Sequence, residues 1–252
     1  MRLKVIESGD GPPVVLLHGL FGMARNLGVV QRAIAPRHRV LAMDLRNHGD
    51  SPHAPGMTYP EIAGDVAETM RELGVEQAAV IGHSMGGKTA MMLALTHPAM
   101  VSRLLVADIA PGRNPPSFDG YAKAMRAIPL EPELTRQQAD EALLGAVEEA
   151  SIRAFLLQNM RFGAEPGWRI GLDNIIAGMK DILDWPDMGR TYEGPTLFVA
   201  GEKSPYIRDE HRPAIKALFP HSRLVTLKGA GHWLHAENPE GFNKIVEAFL
   251  AA

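Results

Sequence analysis

Residues 82–89 read Gly-His-Ser-Met-Gly-Gly-Lys-Thr and follow the apolar run Ala78–Ile81. A helical pattern at about Gly86–His97 comes next, so the stretch predicts a strand that turns sharply into a helix. Two motifs share that context and fit these residues. Residues 82–86 give G-x-S-x-G, in which a strained serine stands on the turn. Residues 82–89 also give G-x-x-x-x-G-K-T, a phosphate-binding loop (P-loop), and local structure does not separate the two.

Short apolar runs alternate with helical patterns along most of the chain. The runs predicted as buried strands are Val14–Leu17, Val40–Met43, Ala78–Ile81, Leu104–Ala107, Leu197–Ala200 and Leu224–Leu227. The helical patterns lie at about Tyr59–Leu73, Gly86–His97, Arg208–Leu218 and Pro239–Leu250. Nearly continuous apolar strands separated by helices predict an α/β fold, with a mostly parallel, doubly wound sheet covered on both faces.

One interval breaks the alternation, because no convincing strand lies between about Arg113 and Asp187. Helical patterns lie near Asp119–Ile128, Thr135–Ala150, Ile152–Arg161 and Trp168–Leu183. A break of roughly 75 residues is too long for an ordinary loop. We therefore expect a core of residues 1–112 and 188–252, and a helical lid of residues 113–187 inserted after the sixth strand. Such inserts at the carboxyl edge of a sheet often cover the ligand crevice.

Composition excludes several classes of protein. The chain has 252 residues, no cysteine and a formal net charge of −3. A disulfide framework, a cysteine–zinc site and a cysteine nucleophile are therefore excluded, and the charge argues against a nucleic-acid binder built on a basic patch. No apolar run approaches the roughly 18 residues of a membrane span, and MRLKVIESGD lacks the apolar segment of a secretory signal. We expect a cytoplasmic protein; its oligomeric state is unknown from sequence.

The G-x-S-x-G reading, in which the turn is called a nucleophile elbow, assigns specific chemistry to these residues. Glycines at 82 and 86 relieve crowding, so the hydroxyl of Ser84 projects above the sheet as a nucleophile. The backbone N–H of Met85 then points toward a developing oxyanion at a helix N-terminus. The alternative readings are the P-loop, with Lys88 on the phosphates, and a glycine-rich turn without chemistry.

A second oxyanion donor is expected from the loop after the strand Val14–Leu17, which reads His18-Gly19-Leu20-Phe21-Gly22. A His-Gly turn upstream of the elbow suits this role, and the backbone N–H of Leu20 would supply it. The alternative is a plain strand–loop turn. His18 itself is interpreted as a structural histidine.

The general base is expected at His232, in the loop Gly229-Ala230-Gly231-His232-Trp233 after the last strand. An ordinary histidine pKa of about 6.5 suits taking and returning a proton at neutral pH. Its position after the serine and the acid matches the order of this hydrolase chemistry. His235 is the competitor.

The acid has two candidate locations. Asp108 ends the apolar strand Leu104–Ala107, where a buried carboxylate needs a partner that a histidine Nδ1–H would provide; backbone N–H groups of the turn are the other possible partners. The loop after Leu197–Ala200 instead offers Glu202 or Asp209, with Ser204 where an aspartate is expected. We favour Asp108.

These residues predict a serine hydrolase that transfers an acyl group from a small-molecule substrate to water, with no cofactor and no metal required. The alternatives are a P-loop nucleotide hydrolase, a binding protein that releases product slowly, and a C–C hydrolase, haloperoxidase or lyase with the same triad. Haloalkane dehalogenase is disfavoured because residue 84 is not aspartate. The polar run Asp44–Ser51 is predicted to be a structural turn beside the site. Apolar lid residues line either an acyl pocket or simply a core: Phe118, Tyr121, Met125, Phe155, Leu156, Met160, Phe162 and Trp168.

Several phrases of the sequence carry a family resemblance. They are HGLFG at 18–22, NLG at 26–28, DLRNHGDSP at 44–52, GHSMGGK at 82–88, DIAP at 108–111, SPY at 204–206 and GAGHWLHAENP at 229–239. With them the chain resembles the α/β-hydrolase superfamily, and more narrowly the YbfF-type bacterial esterases and their mitochondrial abhydrolase relatives. The resemblance implies a Ser-Asp-His esterase with four lid helices, short-chain ester or acyl-thioester substrates, and an acid at the earlier strand end, Asp108. It also implies that Lys88 belongs to the subfamily phrase, which makes the P-loop match accidental.

Overall fold

The computed structural model describes residues 1–114 and 117–252. Its strands are β1 (Val5–Ser8), β2 (Pro13–Leu17), β3 (Arg39–Met43), β4 (Ala78–His83), β5 (Val101–Ala107), β6 (Met160–Arg161), β7 (Gly167–Trp168), β8 (Thr196–Gly201) and β9 (Ser222–Leu227). Seven of them form one sheet in the order β1-β3-β2-β4-β5-β8-β9. Only β1 runs antiparallel to its neighbour, β3, within the described part of this sheet. The predicted mostly parallel α/β sheet is confirmed.

Helices connect the strands. They are α1 (Gly28–Ile34), α2 (Tyr59–Glu72), α3 (Met85–Thr96), α4 (Ser117–Arg126), α5 (Arg136–Leu143), α6 (Ala150–Leu157), α7 (Leu172–Ala177), α8 (Met179–Leu183), α9 (Arg212–Leu218), α10 (Leu234–Glu237) and α11 (Pro239–Ala251). Short 3₁₀ turns occupy Ala24–Leu27, Pro98–Met100 and Asp209–His211. In the described part of the chain, no helix has both the length and the apolar character that a membrane crossing requires.

Side-chain alternation along the central strands divides the core between the two faces of the sheet. On β2, Val15 and Leu17 pack into a cluster that contains α2 and α3. Val14 and Leu16 point the other way, into a cluster that contains α1 and α11. Successive side chains of a strand face opposite sides, so a strand covered by helices on both faces is apolar at every position. This explains why β2, β3, β4 and β8 were visible as continuous apolar runs.

Two elements of the core were not predicted. Strand β1 lies at the sheet edge with Ile6 exposed, so its residues lack the continuous apolar pattern of the central strands. Helix α1 begins at a glycine and continues with two valines, residue types with low helix propensity. Its buried Val30 and Ile34 show that packing against the sheet stabilises this helix.

The predicted insertion lies between β5 and β8, and we call residues 113–187 the inserted segment. It follows β5, the fifth strand of the chain, whereas the sequence predicted a position after a sixth strand. It also contains the two-residue strands β6 and β7, which pair antiparallel where no strand was expected. Its described residues form five helices instead of four, because α7 and α8 are separate. A lid role for this segment stays a prediction.

Candidate active site

The site lies where the direction of strand addition reverses. Strand β2 pairs with β3 on one side and β4 on the other, with Leu17 opposite Gly82. Loops at the carboxyl ends of strands flank a crevice at such a switch point. The segment after β2, His18–Gly22, therefore lies beside Ser84, which follows β4.

Ser84 occupies a strained turn. Its backbone has φ 54° and ψ −120°, a combination that non-glycine residues rarely adopt and that costs about 1–3 kcal/mol. The two flanking glycines make the turn possible, because a Cβ on Gly82 would collide with the carbonyl of Gly86. A Cβ on Gly86 would collide with the carbonyls of Leu17 and His18. The sequence-predicted elbow geometry is present at this position.

Ser84, His232 and Asp108 form a hydrogen-bonded chain. The Nδ1–H of His232 donates to Asp108 Oδ2 at 2.7 Å. This leaves Nε2 unprotonated in the neutral imidazole, and Nε2 lies 3.1 Å from the Ser84 hydroxyl. All three side chains are buried, and Asp108 is fully so. The arrangement allows the imidazole to accept the serine proton while the carboxylate holds its tautomer.

The buried carboxylate of Asp108 has three donors. Besides His232, the backbone N–H of Gly201 donates to Oδ1 at 2.9 Å, and the hydroxyl of Ser204 donates to Oδ2. Asp108 itself has φ 53°, and its own N–H donates to the carbonyl of Val199 at 2.8 Å. These contacts offset the cost of burying the charge.

The loop after β8 contributes two residues that sequence reasoning did not assign to the site. Ser204 stands where an aspartate was expected, and its hydroxyl contacts the acid. The ring of Tyr206 stacks on the ring of His232, with centroids 4.2 Å apart and an interplanar angle of 29°. The phrase Ser-Pro-Tyr was the available signal, but which atoms these side chains touch depends on the conformation of the loop.

The competing residues are engaged elsewhere. Glu202 accepts the backbone N–H of Gly229 at 2.8 Å, and Asp209 is an exposed partner of Arg212 at 2.7 Å. His235 lies edge-on to the ring of His83, 4.9 Å between centroids. Burial lowers the pKa of His235 to about 4. The described contacts thus connect only His232 to both Ser84 and Asp108.

Of the two expected oxyanion donors, Met85 is next to Ser84 in the chain and Leu20 is near Ser84 in space. Met85 is the first residue of α3, so its N–H has no partner within the helix and lies at the positive end of the helix dipole. Leu20 lines the pocket at Ser84. It lies in a turn that the Gly22 N–H closes onto the Gly19 carbonyl at 2.9 Å.

This turn contains Phe21 at φ 59°, where glycine is usually found. Hydrogen bonds hold both sides of that residue. Its N–H donates to Nε2 of His48 at 3.1 Å, and its carbonyl accepts from Asn159 Nδ2 at 2.7 Å. The Nδ1–H of His48 donates to the Arg46 carbonyl at 2.8 Å. The predicted structural turn Asp44–Ser51 therefore braces the loop that carries Leu20.

His18 is bonded in the same manner. Its Nε2 accepts the N–H of Leu45 at 3.0 Å, and its Nδ1–H donates to the Gly19 carbonyl at 2.8 Å. Burial lowers the pKa of His18 to about 4. Burial and the neighbouring His18 lower the pKa of His48 to about 3. Both rings are therefore neutral, and each uses Nε2 as an acceptor.

The pocket at Ser84 is small. Its cavity measures about 20 Å³ and is lined by Leu20, Phe118, Phe155 and Trp233, among others. A space of that size holds about one water molecule. Of the apolar residues expected in the inserted segment, Phe118 and Phe155 line the pocket, whereas Met125, Leu156 and Met160 are buried in the core.

Lys88 does not adopt the role that a P-loop requires. Its side chain is fully buried, and Nζ donates to the carbonyls of Gly112 at 2.7 Å and Asp184 at 2.9 Å. A P-loop lysine reaches the β- and γ-phosphates of a nucleotide. A P-loop protein also uses an aspartate to hold magnesium, whereas Asp108 accepts a hydrogen bond from His232. The geometry therefore favours the serine reading of residues 82–89.

Comparisons with known proteins agree with the fold. The family model for the alpha/beta hydrolase fold matches residues 12–239. The sn-1-specific diacylglycerol lipase ABHD11 of Xenopus laevis is 43% identical over 249 residues, which cover 95% of this chain and 80% of the relative. Esterase YbfF of Escherichia coli (strain K12) is 35% identical over 242 residues, 96% of this chain and 94% of the relative. A solved marine microorganism esterase superposes with a TM-score of 0.94 at 35% identity, over 98% of this chain and 99% of that one. The expected resemblance is confirmed, and the chain belongs to the α/β-hydrolase family.

Proposed function

We propose that this protein is a serine hydrolase that cleaves carboxylic esters or acyl thioesters through an acyl-enzyme intermediate. The observation that carries the proposal is the hydrogen-bonded chain Ser84–His232–Asp108 built on a strained turn. Relatives named as an esterase and a diacylglycerol lipase support the ester class of substrate.

The first half of the reaction acylates the serine. His232 Nε2 takes the hydroxyl proton as Ser84 Oγ attacks the substrate carbonyl. The N–H groups of Leu20 and Met85 then stabilise the negative oxygen of the tetrahedral intermediate. Asp108 stabilises the imidazolium. When the intermediate collapses, the leaving alcohol or thiol receives the proton from His232, and the acyl group stays on Ser84.

The second half returns the enzyme to its starting state. His232 removes a proton from water, which attacks the acyl carbonyl, and the Ser84–acyl bond breaks as Oγ regains a proton. The carboxylic acid leaves. The inserted segment contributes Phe118 and Phe155 to the lining of the small cavity at Ser84, and we expect it to act as a lid that shifts before an ester enters. The cytoplasmic location stays a prediction.

The first test uses a serine-directed fluorophosphonate probe and a series of nitrophenyl esters beside acyl-CoA thioesters. We expect Ser84→Ala to abolish labelling and to lower kcat by about 10⁴-fold or more, because the nucleophile is absent. Ser151→Ala removes an exposed serine from α6 and is the matched control. Equal labelling of wild type and Ser84→Ala would contradict the proposal.

The ester series also separates the alternative reactions. Labelling at Ser84 without turnover of any ester or thioester would favour a C–C hydrolase, haloperoxidase or lyase on the same fold. A single turnover of an ester that leaves a stable acyl adduct on Ser84 would favour a binding protein that releases its product slowly. The preferred chain length is read from kcat/KM along the series, with oxygen and sulfur esters compared at equal length.

A further inference from the structure

The buried cation on α3 has no part in the chemistry proposed above. Lys88 lies one helical turn after Ser84, and its N–H donates to the Ser84 carbonyl at 3.0 Å. Its side chain runs into the protein, and Nζ ends among three backbone carbonyls: Gly112, Leu183 and Asp184. One short stretch of helix therefore carries both the nucleophile and this cation.

The three carbonyls belong to the two ends of the inserted segment. Gly112 directly precedes the segment, Leu183 is the last residue of α8 near the other end of the segment, and Asp184 follows it. We call these residues, with Ile182, the base of the inserted segment. Two further bonds hold this base: the hydroxyl of Tyr59 donates to the Ile182 carbonyl at 2.7 Å, and the N–H of Asn114 donates to the Leu183 carbonyl at 2.7 Å.

A charge at this position needs a reason, because burying an ammonium group is costly. Burial lowers the pKa of Lys88 to about 7. Within the described residues no carboxylate lies close enough to Lys88 to form an ion pair. The compensation comes from the carbonyls and from the ring of Tyr59, whose centroid lies 5.5 Å from Nζ. An apolar side chain would remove this donor from the carbonyls of Gly112 and Asp184.

The small volume of the pocket at Ser84 indicates why a fixed base matters. The cavity at Ser84 has room for about one water molecule, so an ester fits only if the residues that line it, which include Phe118 on α4 and Phe155 on α6, move apart. Both helices belong to the inserted segment, and α3 must stay in place to keep Ser84 beside His232. We propose that Lys88 is a positioning residue that fixes the base of the inserted segment to α3. Helices α4 and α6 then move relative to a fixed base, and their movement selects which acyl chains reach Ser84. The selection of acyl chains rests on the proposed ester hydrolysis.

The test compares Lys88→Met with Lys180→Met, which removes an exposed lysine from α8. We expect backbone hydrogen exchange at residues 182–185 to accelerate by about tenfold or more in Lys88→Met and to stay unchanged in Lys180→Met. With nitrophenyl acetate and nitrophenyl decanoate, the ratio of the two kcat/KM values should change by about tenfold in Lys88→Met, mainly through KM for the decanoate. Wild-type exchange and an unchanged ratio in Lys88→Met would overturn the proposal.

A second variant keeps the test decisive if Lys88→Met does not fold. Tyr59→Phe removes the hydroxyl bond to Ile182 and leaves the three carbonyl bonds of Lys88. We expect the same two changes, each smaller than in Lys88→Met, and wild-type behaviour would overturn the proposal. Hydrogen exchange needs no substrate, so it tests the fixed base even if ester hydrolysis fails. Normal ester turnover by wild type, together with unaltered hydrogen exchange in the variants, would contradict the fixed base and leave the proposed ester hydrolysis standing.

Discussion

Asp108 combines a strained backbone conformation with hydrogen bonds that offset the cost of burying its charge. Its left-handed backbone at the end of β5 aims the carboxylate at His232, while Gly201 and Ser204 occupy the other lone pairs. The acid therefore needs no contribution from the side chains of Glu202 or Asp209. Strained backbone of this kind persists where surrounding contacts fix it, and it concentrates at functional sites.

At this residue we predict a large kinetic effect from a small chemical change. Asp108→Asn replaces an acceptor with an amide whose NH₂ can face Nδ1, so the imidazole adopts the wrong tautomer. We expect kcat to fall by about 10³–10⁴-fold with little change in KM. Asp209→Asn is the matched control, because Asp209 is exposed. Normal turnover in Asp108→Asn, with loss of activity in Asp209→Asn, would reassign the acid.

Ser84, Asp108 and His232 could be predicted from the sequence because Ser84 and Asp108 directly follow β4 and β5, and His232 lies in the loop after β9. The carboxyl ends of parallel strands meet at one edge, so spacing along the chain was enough to group them. The contacts of Ser204 and Tyr206 were not predicted, because they depend on how one irregular loop folds back toward His232. His48 escaped because its acceptor role toward Phe21 depends on burial and tautomer, neither of which the pattern encodes.

Helix α3 joins Ser84 to the buried Lys88, and the charge on Lys88 makes the folding stability depend on pH. The pKa of Lys88 is about 7 in the folded protein, below its ordinary value of 10.5. Between these values the unfolded chain binds more protons than the folded one, so folding stability rises with pH across this window. The carboxylate of Asp184 acts in the opposite direction, as it raises this pKa.

We therefore expect wild type to gain up to about 2 kcal/mol of stability relative to Lys88→Met between pH 7 and pH 9. Urea unfolding of both proteins at the two pH values measures this difference, and other titrating groups are common to both. Lys180→Met should follow wild type. A stability difference that stays constant between pH 7 and pH 9 would show that Lys88 has an ordinary pKa.

Elements were predicted unevenly, for physical reasons. Central strands are covered on both faces, and their unbroken apolar runs located five of them within a few residues. In the inserted segment, the single helix expected over Thr135–Ala150 ends at Leu143, and a turn containing Gly145 follows. The buried Val147 kept the apolar pattern going through that turn. Periodicity reports burial, and one buried residue between two short helices extends the same signal past an exposed turn.

Across the whole molecule, four neutral histidines lie buried around the site: His18, His48, His83 and His235. Burial lowers the pKa of each, to about 4 for His18, about 3 for His48 and about 4 for His235, and well below the usual value for His83. The unfolded chain takes up protons below about pH 6.5 that the folded protein does not. Stability conferred by these groups is present above that pH and is lost progressively as pH falls toward 4.

We predict a marked loss of stability in mild acid, up to about 2 kcal/mol per histidine at pH 5. Urea unfolding at pH 7 and pH 5 measures it. His48→Gln retains an acceptor for the Phe21 N–H but cannot be protonated, so it should lose less stability than wild type over this interval. His221→Gln, at an exposed surface position, should behave as wild type. Equal losses in wild type and His48→Gln would contradict the prediction.

The arrangement around Lys88 also bears on how such a protein changes over evolution and in the laboratory. Gly112 and Asp184 both lie within hydrogen-bonding distance of one nitrogen atom, so the two points where the inserted segment leaves and rejoins the sheet are neighbours in space. Neighbouring ends are the condition under which a domain accepts insertions. If the inserted segment acts as the proposed lid, its helices form an exchangeable unit. We then expect that helices from a different hydrolase, joined at the same two points, change the substrate specificity and leave the strands that carry Ser84, Asp108 and His232 intact.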